Sequence, residues 1–337
     1  MLASYLIKPG TIELREAPTP KPGQGEVLVK IKAALTCGTD LKAFLRGHPM
    51  IPMPGVCGHE FSGVIAETGK GVRKFKAGDE VMAVHSAPCL KCSYCLKKLY
   101  NLCENIMQTK VMGAFAEYIL LPPHIVKQNL FHKPSHLSFE EAAFLEPLSC
   151  VVHGMQGLDI KHGTKILIIG TGTIGLLHLL LAKLRKAEVL ITGLEEKRLL
   201  LAKRLGADMI IHPSELADTI GEFTDRIGVD FVFECTGQLD VWESSVKYAR
   251  RGGTVVLFGG VKNGAIVTYD TYRLHYDELT LKGVFHFTPR DVKKAYSLLN
   301  KTINVSPLIS GSYPLKDLSV ALEKLSKGEG IKYAIIP

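Results

Sequence analysis

The chain has 337 residues, which is enough for about two domains. Apolar residues make up 46% and charged residues 22%, proportions that are typical of a globular protein and exclude a disordered or fibrous one. The formal net charge of +8 is spread along the chain without blocks of like charge, so we expect no nucleic-acid partner.

The apolar segments are short. The first ten residues lack the basic region and the long apolar run of a signal peptide. The longest apolar run, residues 176–182, is interrupted by His178 and is much shorter than a membrane span. We therefore expect a soluble cytoplasmic protein with no membrane partner. The eight cysteines are then expected to be metal ligands or core residues, because disulfides are rare in a reducing compartment.

The first part of the chain has the pattern of a β-rich domain. Partial alternation of apolar and polar residues predicts strands, and clusters of Pro and Gly separate them. The predicted strands are residues 26–33, 63–67, 80–84 and 115–121. A change of pattern near residue 151 places this predicted domain at residues 1–150.

A doubly wound α/β domain is predicted over residues 151–286, because apolar strand candidates alternate there with helical segments. Such strands form a parallel sheet that is covered on both faces. The strand candidates are residues 165–169, 189–192, 209–211, 230–233, 254–258 and 279–283. Residues 287–337 follow as a C-terminal segment, with predicted helices at 291–299 and 315–326 and a strand at 333–336.

A glycine-rich turn joins the first of these strands to a helix. Its residues are Gly170, Thr171, Gly172, Thr173, Ile174 and Gly175. The first glycine permits a tight turn, the second lets the backbone approach a pyrophosphate, and the third brings the helix close to the strand. The N–H groups at the helix N-terminus can then bind the phosphates. The spacing, with its flanking strand and helix, predicts that these six residues bind a dinucleotide.

The end of the second strand leaves the choice between NAD and NADP open. An Asp or Glu at this place holds the ribose hydroxyls of NAD, but this chain has Gly193 there. Arg198 or Lys197 could pair with the additional phosphate of NADP, whereas Glu195 and Glu196 would repel that phosphate or reach the ribose. We expect Gly193 and Arg198 to lie at the cofactor, with a slight preference for NAD.

Four cysteines lie close together in a polar segment: Cys89, Cys92, Cys95 and Cys103. Four thiolates can surround one tetrahedral zinc ion and leave no coordination position open, which is the arrangement of a structural zinc site. The spacing C-x2-C-x2-C-x7-C differs from the two separated C-x2-C pairs of nucleic-acid zinc modules. It therefore predicts a structural zinc lobe at about residues 85–108.

A second set of metal-ligand candidates is dispersed: Cys37, His59, Glu60 and Glu146. Cys37 begins a Cys-Gly-Thr-Asp motif, His59 and Glu60 stand in Gly-His-Glu-Phe-Ser-Gly, and Glu146 begins Glu-Pro-Leu. With these motifs, the four cysteines and the glycine turn in this order, the chain resembles the zinc-containing medium-chain alcohol dehydrogenase family over essentially its whole length. The Glu-Pro-Leu segment is similar to the branch of polyol (sorbitol-type) and threonine dehydrogenases.

The resemblance implies a fold and a catalytic metal. The implied fold is a GroES-like β-rich catalytic domain, to which the C-terminal segment returns, joined to a Rossmann domain, with the active site in the cleft between them. Cys37, His59 and either Glu60 or Glu146 would hold a catalytic zinc with one open position, besides the structural zinc. Because a thiolate and one carboxylate already neutralise the divalent cation, we expect that Glu60 and Glu146 do not both bind it tightly.

Two residues of the Cys-Gly-Thr-Asp motif have implied roles in catalysis. Asp40 would accept the second ring N–H of His59 and fix the tautomer that faces the zinc. Thr39 would pass the substrate proton outward. The next position of this relay holds Lys42 where many relatives have histidine, which leaves the outer half of the relay open.

An open zinc and a dinucleotide site together predict an oxidoreductase that moves a hydride between an alcohol and a nicotinamide cofactor. Polyols, sugar alcohols, phosphorylated sugars and hydroxy-amino acids all fit as substrates, and His48 with residues 49–54 is expected to line the substrate mouth. The resemblance implies a homodimer or homotetramer. Two other classes stay open: a zinc-independent enzyme similar to quinone reductases, and a non-catalytic redox sensor that binds zinc and dinucleotide.

Overall fold

The computed structural model of the chain describes residues 1–48 and 51–337. The chain folds as two compact units, one formed by Met1–Cys150 and His286–Pro337 and the other by Val151–Phe285. Pro49 and Met50, which belong to the expected lining of the substrate mouth, lie outside the described residues. Within the described ranges, no helix is both long enough and apolar enough to span a bilayer.

Strands and helices are numbered here in chain order. The strands are β1 (Leu2–Lys8), β2 (Thr11–Glu16), β3 (Val27–Leu35), β4 (Gly55–Val56), β5 (Glu60–Thr68), β6 (Glu80–Val84), β7 (Tyr118–Leu121), β8 (Leu130–His132), β9 (Lys165–Ile169), β10 (Glu188–Thr192), β11 (Met209–Ile211), β12 (Val229–Glu234), β13 (Ala249–Leu257), β14 (Thr280–Gly283), β15 (Ile309–Pro314) and β16 (Lys332–Ile336). The α-helices are α1 (Gly38–Arg46), α2 (Ser93–Leu96), α3 (Pro123–Asn129), α4 (Phe139–Ala142), α5 (Leu145–Gly154), α6 (Thr173–Leu184), α7 (Glu196–Arg204), α8 (Leu216–Phe223), α9 (Leu239–Ser245), α10 (Thr271–Tyr276), α11 (Pro289–Lys301) and α12 (Leu318–Ser326).

The first unit is built on mainly antiparallel sheets. A small sheet has the strand order β2-β1-β4, and the main sheet has the order β15-β16-β3-β5-β6-β8, with β7 also paired to β3. In the middle of β3, Val29 and Ile31 are buried whereas Lys30 and Lys32 are exposed, which is the alternation of a strand. The β-rich character expected of the first part of the chain is therefore confirmed.

The C-terminal residues complete the main sheet of the first unit. Strand β16 pairs antiparallel with β3, where Ala334 lies opposite Leu35, and β15 pairs parallel with β16. Leu318 and Leu322 of α12 join the same buried apolar cluster as Phe61 of β5. The last helix and strand therefore share one core with the first strands of the chain.

The second unit is a parallel sheet with helices between its strands. The strand order is β11-β10-β9-β12-β13-β14, and every neighbouring pair is parallel. Strands β9 and β10 consist mostly of buried apolar residues, as strands covered on both faces do. The chain goes from β9 to β10 on one side and later returns to β12 on the other. The carboxyl ends of β9 and β12 therefore form the switch point at which such sheets bind ligands, and the doubly wound prediction is confirmed.

The predicted and observed elements differ mainly at their ends. Residues 80–84, 165–169 and 209–211 are strands with the predicted bounds. Strand β13 begins at Ala249, before the predicted start at residue 254, because Arg250, Arg251 and two glycines interrupt the apolar pattern. Its pairing with β12 has a register shift at these residues and continues regularly from Thr254. The helix predicted over residues 315–326 starts as a short 3₁₀ turn, Leu315–Asp317, before α12.

A buried histidine lies in the core of the second unit. His178 on α6 is fully buried between the rings of Phe233 and Phe258, at centroid distances of 4.6 and 5.0 Å. Its Nδ1 donates to the carbonyl oxygen of Ile174 at 2.9 Å, whereas Nε2 has no partner among the described residues. Burial lowers the pKa of His178 to about 4, so the imidazole is neutral in the folded chain at pH 7.

We expect His178 to make folding sensitive to acid. The unfolded chain protonates this group near pH 6.5 and the folded chain only near pH 4, so its contribution to stability is complete above pH 6.5 and is lost as the pH falls towards 4. At pH 5 the loss is about 2 kcal/mol. Urea unfolding at pH 7 and pH 5 measures it.

His178→Leu should remove this part of the pH dependence, since the Ile174 carbonyl keeps its helical N–H partner. His162→Leu, at an exposed position, is the control and should leave the dependence unchanged. Equal acid sensitivity of the His178→Leu variant and the unchanged chain would contradict the prediction.

Candidate functional site

The glycine turn lies at the carboxyl end of β9 and leads into α6. Gly172 is the N-cap of α6, and a Cβ at this position would meet nothing within 4 Å, so the backbone is open to a ligand. A Cβ on Gly175 would overlap the carbonyl oxygen of Gly170, so helix and strand need a glycine there to approach this closely. Thr173 and Ile174 begin α6, where N–H groups have no helical acceptor. This arrangement fits the pyrophosphate of a dinucleotide.

The side chain of Thr171 fills the space beside Gly193, the position expected to select the cofactor. Gly193 directly follows β10, and a Cβ there would overlap the side chain of Thr171. An Asp or Glu at residue 193 would therefore displace Thr171. Arg198, at the start of α7, lies with its Nη1 3.6 Å from Oε2 of Glu195. The positive charge of Arg198 is thus already opposed by a carboxylate.

The pairing of β3 with β5 brings three of the dispersed candidates together. Cys37 follows β3 and caps α1, His59 directly precedes β5, and Glu60 begins β5 opposite Leu35. One ligand atom each of Cys37, His59 and Glu60 lies within 4.8 Å of the others. Thr39 lies two residues after Cys37 in the first turn of α1 and is half-buried. The strand register therefore builds a candidate metal centre.

Asp40 supports the backbone that carries these ligands. Its carboxylate accepts the N–H of Cys37 at 3.0 Å and that of Gly58 at 3.2 Å, and burial raises its pKa. The distance from Oδ1 of Asp40 to Nδ1 of His59 is 3.7 Å, which is too long for the hydrogen bond that was expected. In this structure Asp40 forms its hydrogen bonds with the two ligand-bearing segments, and it acts on the imidazole only through its charge.

A buried lysine from the last strand pairs with Glu60. Lys332 begins β16, and its Nζ lies 2.5 Å from Oε2 of Glu60 and donates to the carbonyl oxygen of Thr36 at 2.7 Å. The other carboxylate oxygen, Oε1, is buried and has no hydrogen-bond partner in the part of the chain that the structure describes. Glu60 can therefore offer one oxygen to a cation while Lys332 holds the other.

Glu146 lies beside this centre but is not part of the three-residue group. It is buried at the start of α5, accepts from the thiol of Cys150 at 3.7 Å, and lies 3.4 Å from Nδ1 of His85. Burial lowers the pKa of His85 well below its ordinary value, so this imidazole is neutral and the contact is not an ion pair. The ring of His85 meets that of His59 edge-on at 5.1 Å. Burial raises the pKa of Glu146 to about 7.

The charges at the centre fit a divalent cation. Burial alone would lower the pKa of His59, but the negative charges of Cys37 and Asp40 outweigh it and raise this pKa well above its ordinary value. The surroundings therefore favour positive charge at this place. Thiolate, imidazole and carboxylate are ligands that zinc prefers, and catalytic zinc sites use three such ligands with a further position open. Cys37, His59 and Glu60 fit that description.

Two polar residues next to the centre carried no sequence signal. Oγ of Ser86 lies 2.6 Å from Nε2 of His286, and the ring of His286 meets that of His85 edge-on at 5.2 Å. His286 has a φ of 62°, a left-handed conformation that is uncommon outside glycine. These residues are 200 positions apart, so a pattern in the sequence could not join them.

The four-cysteine lobe has the geometry of a tetrahedral metal site. The ligand atoms of all four cysteines lie within 4.8 Å of one another, and none of them forms a disulfide. The sulfur–sulfur distance is 4.0 Å between Cys89 and Cys95 and 3.9 Å between Cys92 and Cys103. Zinc–sulfur bonds of about 2.3 Å give a tetrahedral edge of about 3.8 Å. The backbone thus holds the sulfurs at nearly the spacing that zinc requires.

Without a cation these thiols would not all ionise at neutral pH. The backbone N–H of Lys91 is the main cause that lowers the pKa of Cys89 to about 6. Burial raises the pKa of Cys95 to about 12. A bound cation would favour the thiolate form of both, as a structural zinc does.

We expect Cys95→Ser to release the metal of the lobe and to loosen it. The apolar cluster of the lobe is small, with Cys95, Cys103 and Ile106 buried, so a bound metal would supply much of its stability. Zinc per chain, measured by plasma mass spectrometry, should fall by about one, and trypsin should cut near Lys97 at least about tenfold faster. Ser93→Ala, which removes a side-chain hydrogen bond of the same lobe, is the control. Unchanged zinc and proteolysis would contradict the prediction.

The chain is similar to known proteins over most of its length. Residues 23–131 match the family described as alcohol dehydrogenase GroES-like domain, and residues 173–301 match the family described as zinc-binding dehydrogenase. Sorbitol dehydrogenase of Halalkalibacterium halodurans is 32% identical over 336 residues, which cover 97% of this chain and 96% of that protein. D-arabitol-phosphate dehydrogenase of Enterococcus avium is 35% identical over 325 residues, which cover 94% and 91%.

A solved structure has the same fold. A zinc-binding dehydrogenase of Sinorhizobium meliloti 1021, crystallised with NADP, has a TM-score of 0.88 and 31% identity, covering 100% of this chain and 99% of that one. These matches confirm the GroES-like and Rossmann folds expected from the sequence and the expected enzyme class. The chain belongs to the zinc-containing medium-chain alcohol dehydrogenase family.

Proposed function

We propose that the chain is a zinc-dependent oxidoreductase that transfers a hydride between a secondary alcohol of a polyol and a nicotinamide cofactor. The proposal depends on the buried group of Cys37, His59 and Glu60, which fits a zinc ion with a position left for a substrate oxygen. A sorbitol and an arabitol-phosphate dehydrogenase among the relatives support polyols as the substrate class.

Each residue of the centre has a task in this reaction. A zinc ion bound there would act as a Lewis acid on the alcohol oxygen, and a bound nicotinamide would accept the hydride. Thr39 would take up the hydroxyl proton of the substrate and pass it outward. Asp40 holds the backbone at Cys37 and Gly58, which keeps the ligand side chains in place.

We infer two zinc ions per chain, one at the centre and one in the four-cysteine lobe. At the centre we assign Glu60 rather than Glu146 as the carboxylate ligand, because Glu60 belongs to the three-residue group and its Oε1 has no hydrogen-bond partner among the described residues. Glu146 contacts Cys150 and His85 instead. Because a thiolate and one carboxylate balance the charge of the metal, we expect Glu146 to stay unligated or to act through water.

We infer NAD as the preferred cofactor. Glu195 opposes the charge of Arg198 and would repel the additional phosphate of NADP. Separate kinetic runs with the two cofactors test this inference. We expect a kcat/KM for NAD at least about tenfold above that for NADP, which corresponds to about 1.4 kcal/mol. A preference for NADP, the cofactor bound in the Sinorhizobium structure, would contradict it.

Phosphorylated polyols are a second candidate substrate class. Burial lowers the pKa of His48, which follows α1, and positive charges around it lower the pKa further. Besides His59, which is neutral as a metal ligand, these positive groups are Lys110, Lys42 and Arg46. A region of such charge beside the candidate centre attracts a phosphate monoester. The D-arabitol-phosphate dehydrogenase relative supports the same class.

Initial rates of the zinc-loaded chain, followed by absorbance of the reduced cofactor, test the function. Sorbitol and D-arabitol should be oxidised, and D-arabitol phosphate distinguishes the second candidate. For a phosphate ester that uses the positive region, raising the salt from 0.05 to 0.5 M should lower kcat/KM several-fold, while the neutral polyol changes little. If no polyol or polyol phosphate reduces either cofactor, the proposed function is wrong.

The alternative functions predict different results. A redox sensor would bind zinc and dinucleotide without turnover, and a zinc-independent enzyme would keep its activity without Cys37. The homodimer or homotetramer, the cytoplasmic location and the domain limits near residues 150 and 286 stay predictions. Light scattering in solution tests the oligomeric state, and cell fractionation tests the location.

A further inference from the structure

A polar cavity lies in the second unit, at the edge of the sheet opposite the glycine turn. Its volume is about 270 Å³, and it is lined by the end of α8, the loop before β12, the segment around the start of β13 and the end of α10. The glycine turn follows the carboxyl end of β9, whereas the cavity lies at the amino ends of the neighbouring parallel strands β12 and β13. The cavity is therefore separate from the dinucleotide site.

Positive charge dominates this cavity. The cationic side chains that line it are Arg226, Lys247, Arg251 and Arg273, and the lining carboxylate is Asp277. Two acids of adjoining segments have cations of their own, since Asp225 pairs with Lys165 and Asp230 pairs with Arg250. Among its lining residues, the cavity thus has an excess of three positive charges.

Asp277 holds two of the guanidinium groups in place. Its Oδ1 lies 3.0 Å from Nε of Arg251 and its Oδ2 lies 3.0 Å from Nε of Arg273. Arg273 also donates to the carbonyl oxygens of Lys247 and Ala249, at 3.3 and 2.9 Å. The remaining N–H groups of Arg251 and the ammonium group of Lys247 have no acceptor in the described parts of the chain. The cavity is therefore lined by positioned donors that a ligand can use.

The loop before β12 positions Arg226, one of the four cations that line the cavity. Asp225 and Arg226 have left-handed backbone conformations, with φ of 53° and 62°, which cost free energy outside glycine. Lys165 holds this loop, because it donates to the carbonyl oxygen of Phe223 at 2.7 Å and pairs with Asp225 at 3.2 Å. The side chain of Arg226 passes over Gly221 on α8. The described residues contain no ion-pair partner for Arg226.

We propose that this cavity binds the phosphoryl groups of a small polyanion. Guanidinium groups match phosphate oxygens in charge and geometry, and an excess of three positive charges suits a ligand with two or three negative ones. The volume is below the roughly 300–1,000 Å³ of pockets for drug-sized ligands, so a ligand the size of pyrophosphate fits better than a nucleotide. The ligand that carries these phosphoryl groups is either free pyrophosphate or a small phosphorylated metabolite.

Calorimetric titration of the zinc-loaded full chain with inorganic pyrophosphate tests the proposal. Saturating reduced dinucleotide keeps the probe out of the glycine turn, and one binding site per chain is expected. The double variant Arg226→Gln/Lys247→Gln should raise Kd at least tenfold. Lys293→Gln/Lys294→Gln, which removes the same charge from exposed positions on α11, should leave Kd unchanged.

A second variant tests the proposal even if the double variant does not fold. Arg251 is 85% exposed, so Arg251→Gln should fold normally and still weaken binding several-fold. Comparison with glycerol 3-phosphate distinguishes the sources: tighter binding of this ester supports a phosphorylated metabolite, and tighter binding of pyrophosphate supports the free ion.

Three outcomes would overturn the proposal. The first is that no pyrophosphate binds once the dinucleotide is bound, or that potassium chloride at equal ionic strength displaces it completely. The second is that the cavity variants and the α11 control have the same Kd. The third is that the cavity variants change the mass of the particle in light scattering while pyrophosphate does not bind, which would make this face an interface between copies of the chain.

Discussion

Replacing Cys37 by alanine is expected to abolish the reaction and to remove one zinc ion per chain. The thiolate is one of three candidate ligands at the centre, and its loss leaves His59 and Glu60. A residue that merely orients a metal ligand changes metal affinity by about 10–100-fold, so loss of a ligand itself should cost more. We expect kcat/KM for the best polyol to fall at least about 10³-fold, roughly 4 kcal/mol of transition-state stabilisation.

Initial rates and zinc per chain, measured on the same preparation, check this expectation. Cys95→Ser is the matched control, because it also removes one cysteine ligand but acts on the lobe. That variant should lose the other zinc and keep its initial rate within about threefold. Urea unfolding shows whether the Cys37→Ala fold is intact. A Cys37→Ala chain with unchanged turnover would instead support a zinc-independent enzyme.

Replacing Lys332 by methionine should lower the free energy of unfolding by about 3–5 kcal/mol. Lys332 is 1% exposed and its ammonium lies 2.5 Å from Glu60, so the substitution leaves a buried carboxylate without its counter-charge. Burial alone would lower the pKa of Lys332, but the negative charges of Glu60 and Cys37 outweigh it and raise the pKa. The lysine is therefore charged in the folded chain, and methionine replaces the apolar part of its side chain but not the ammonium group.

Adding Glu60→Gln to the Lys332→Met variant should restore most of the lost stability, because an amide needs no counter-charge. The coupling energy between the two sites, from urea unfolding of both single variants and the double variant, should be about 2 kcal/mol or more. The loss should also be smaller with zinc than after chelation, since the metal becomes the partner of Glu60. Lys327→Met, at an exposed position, is the control. If the Lys332→Met variant and the unchanged chain have the same free energy of unfolding, the Lys332–Glu60 pair does not contribute to stability.

Features formed by one short segment could be predicted from the residues alone. The glycine turn and the four-cysteine lobe are of this kind, because their geometry depends on neighbouring backbone. Alternating apolar patterns likewise predicted the β-rich and doubly wound parts of the fold. The patterns failed where polar residues continue a strand, as Arg250 and Arg251 do in β13. The pairing of β13 with β12 is interrupted by a register shift between Ala249 and Thr254, and the two arginines lie in this irregular part, which hydropathy does not detect.

The motifs around Cys37 and His59 pointed to a metal centre, but its details depend on contacts between distant segments. Lys332 reaches Glu60 across 272 positions, and it starts a strand whose predicted bounds left it out. The carboxylate of Asp40 was expected to bond to the His59 ring and instead holds backbone N–H groups. The Glu60–Lys332 pair is set by strand register, which a single residue pattern does not specify. The bond from Cys37 to Asp40 is a local capping contact at the start of α1, whereas the bond from Gly58 joins two segments of the chain.

The amino-acid order was sufficient for the kind of fold, the glycine turn and the identity of the metal-ligand candidates, because periodicity and short spacing encode them. The pairing of Glu60 with Lys332, the neutral His178 and the cationic cavity around Asp277 arise when remote segments are packed together. Burial and electrostatic interactions depend on the distances between groups in space. Those distances exist only once the sheets have formed.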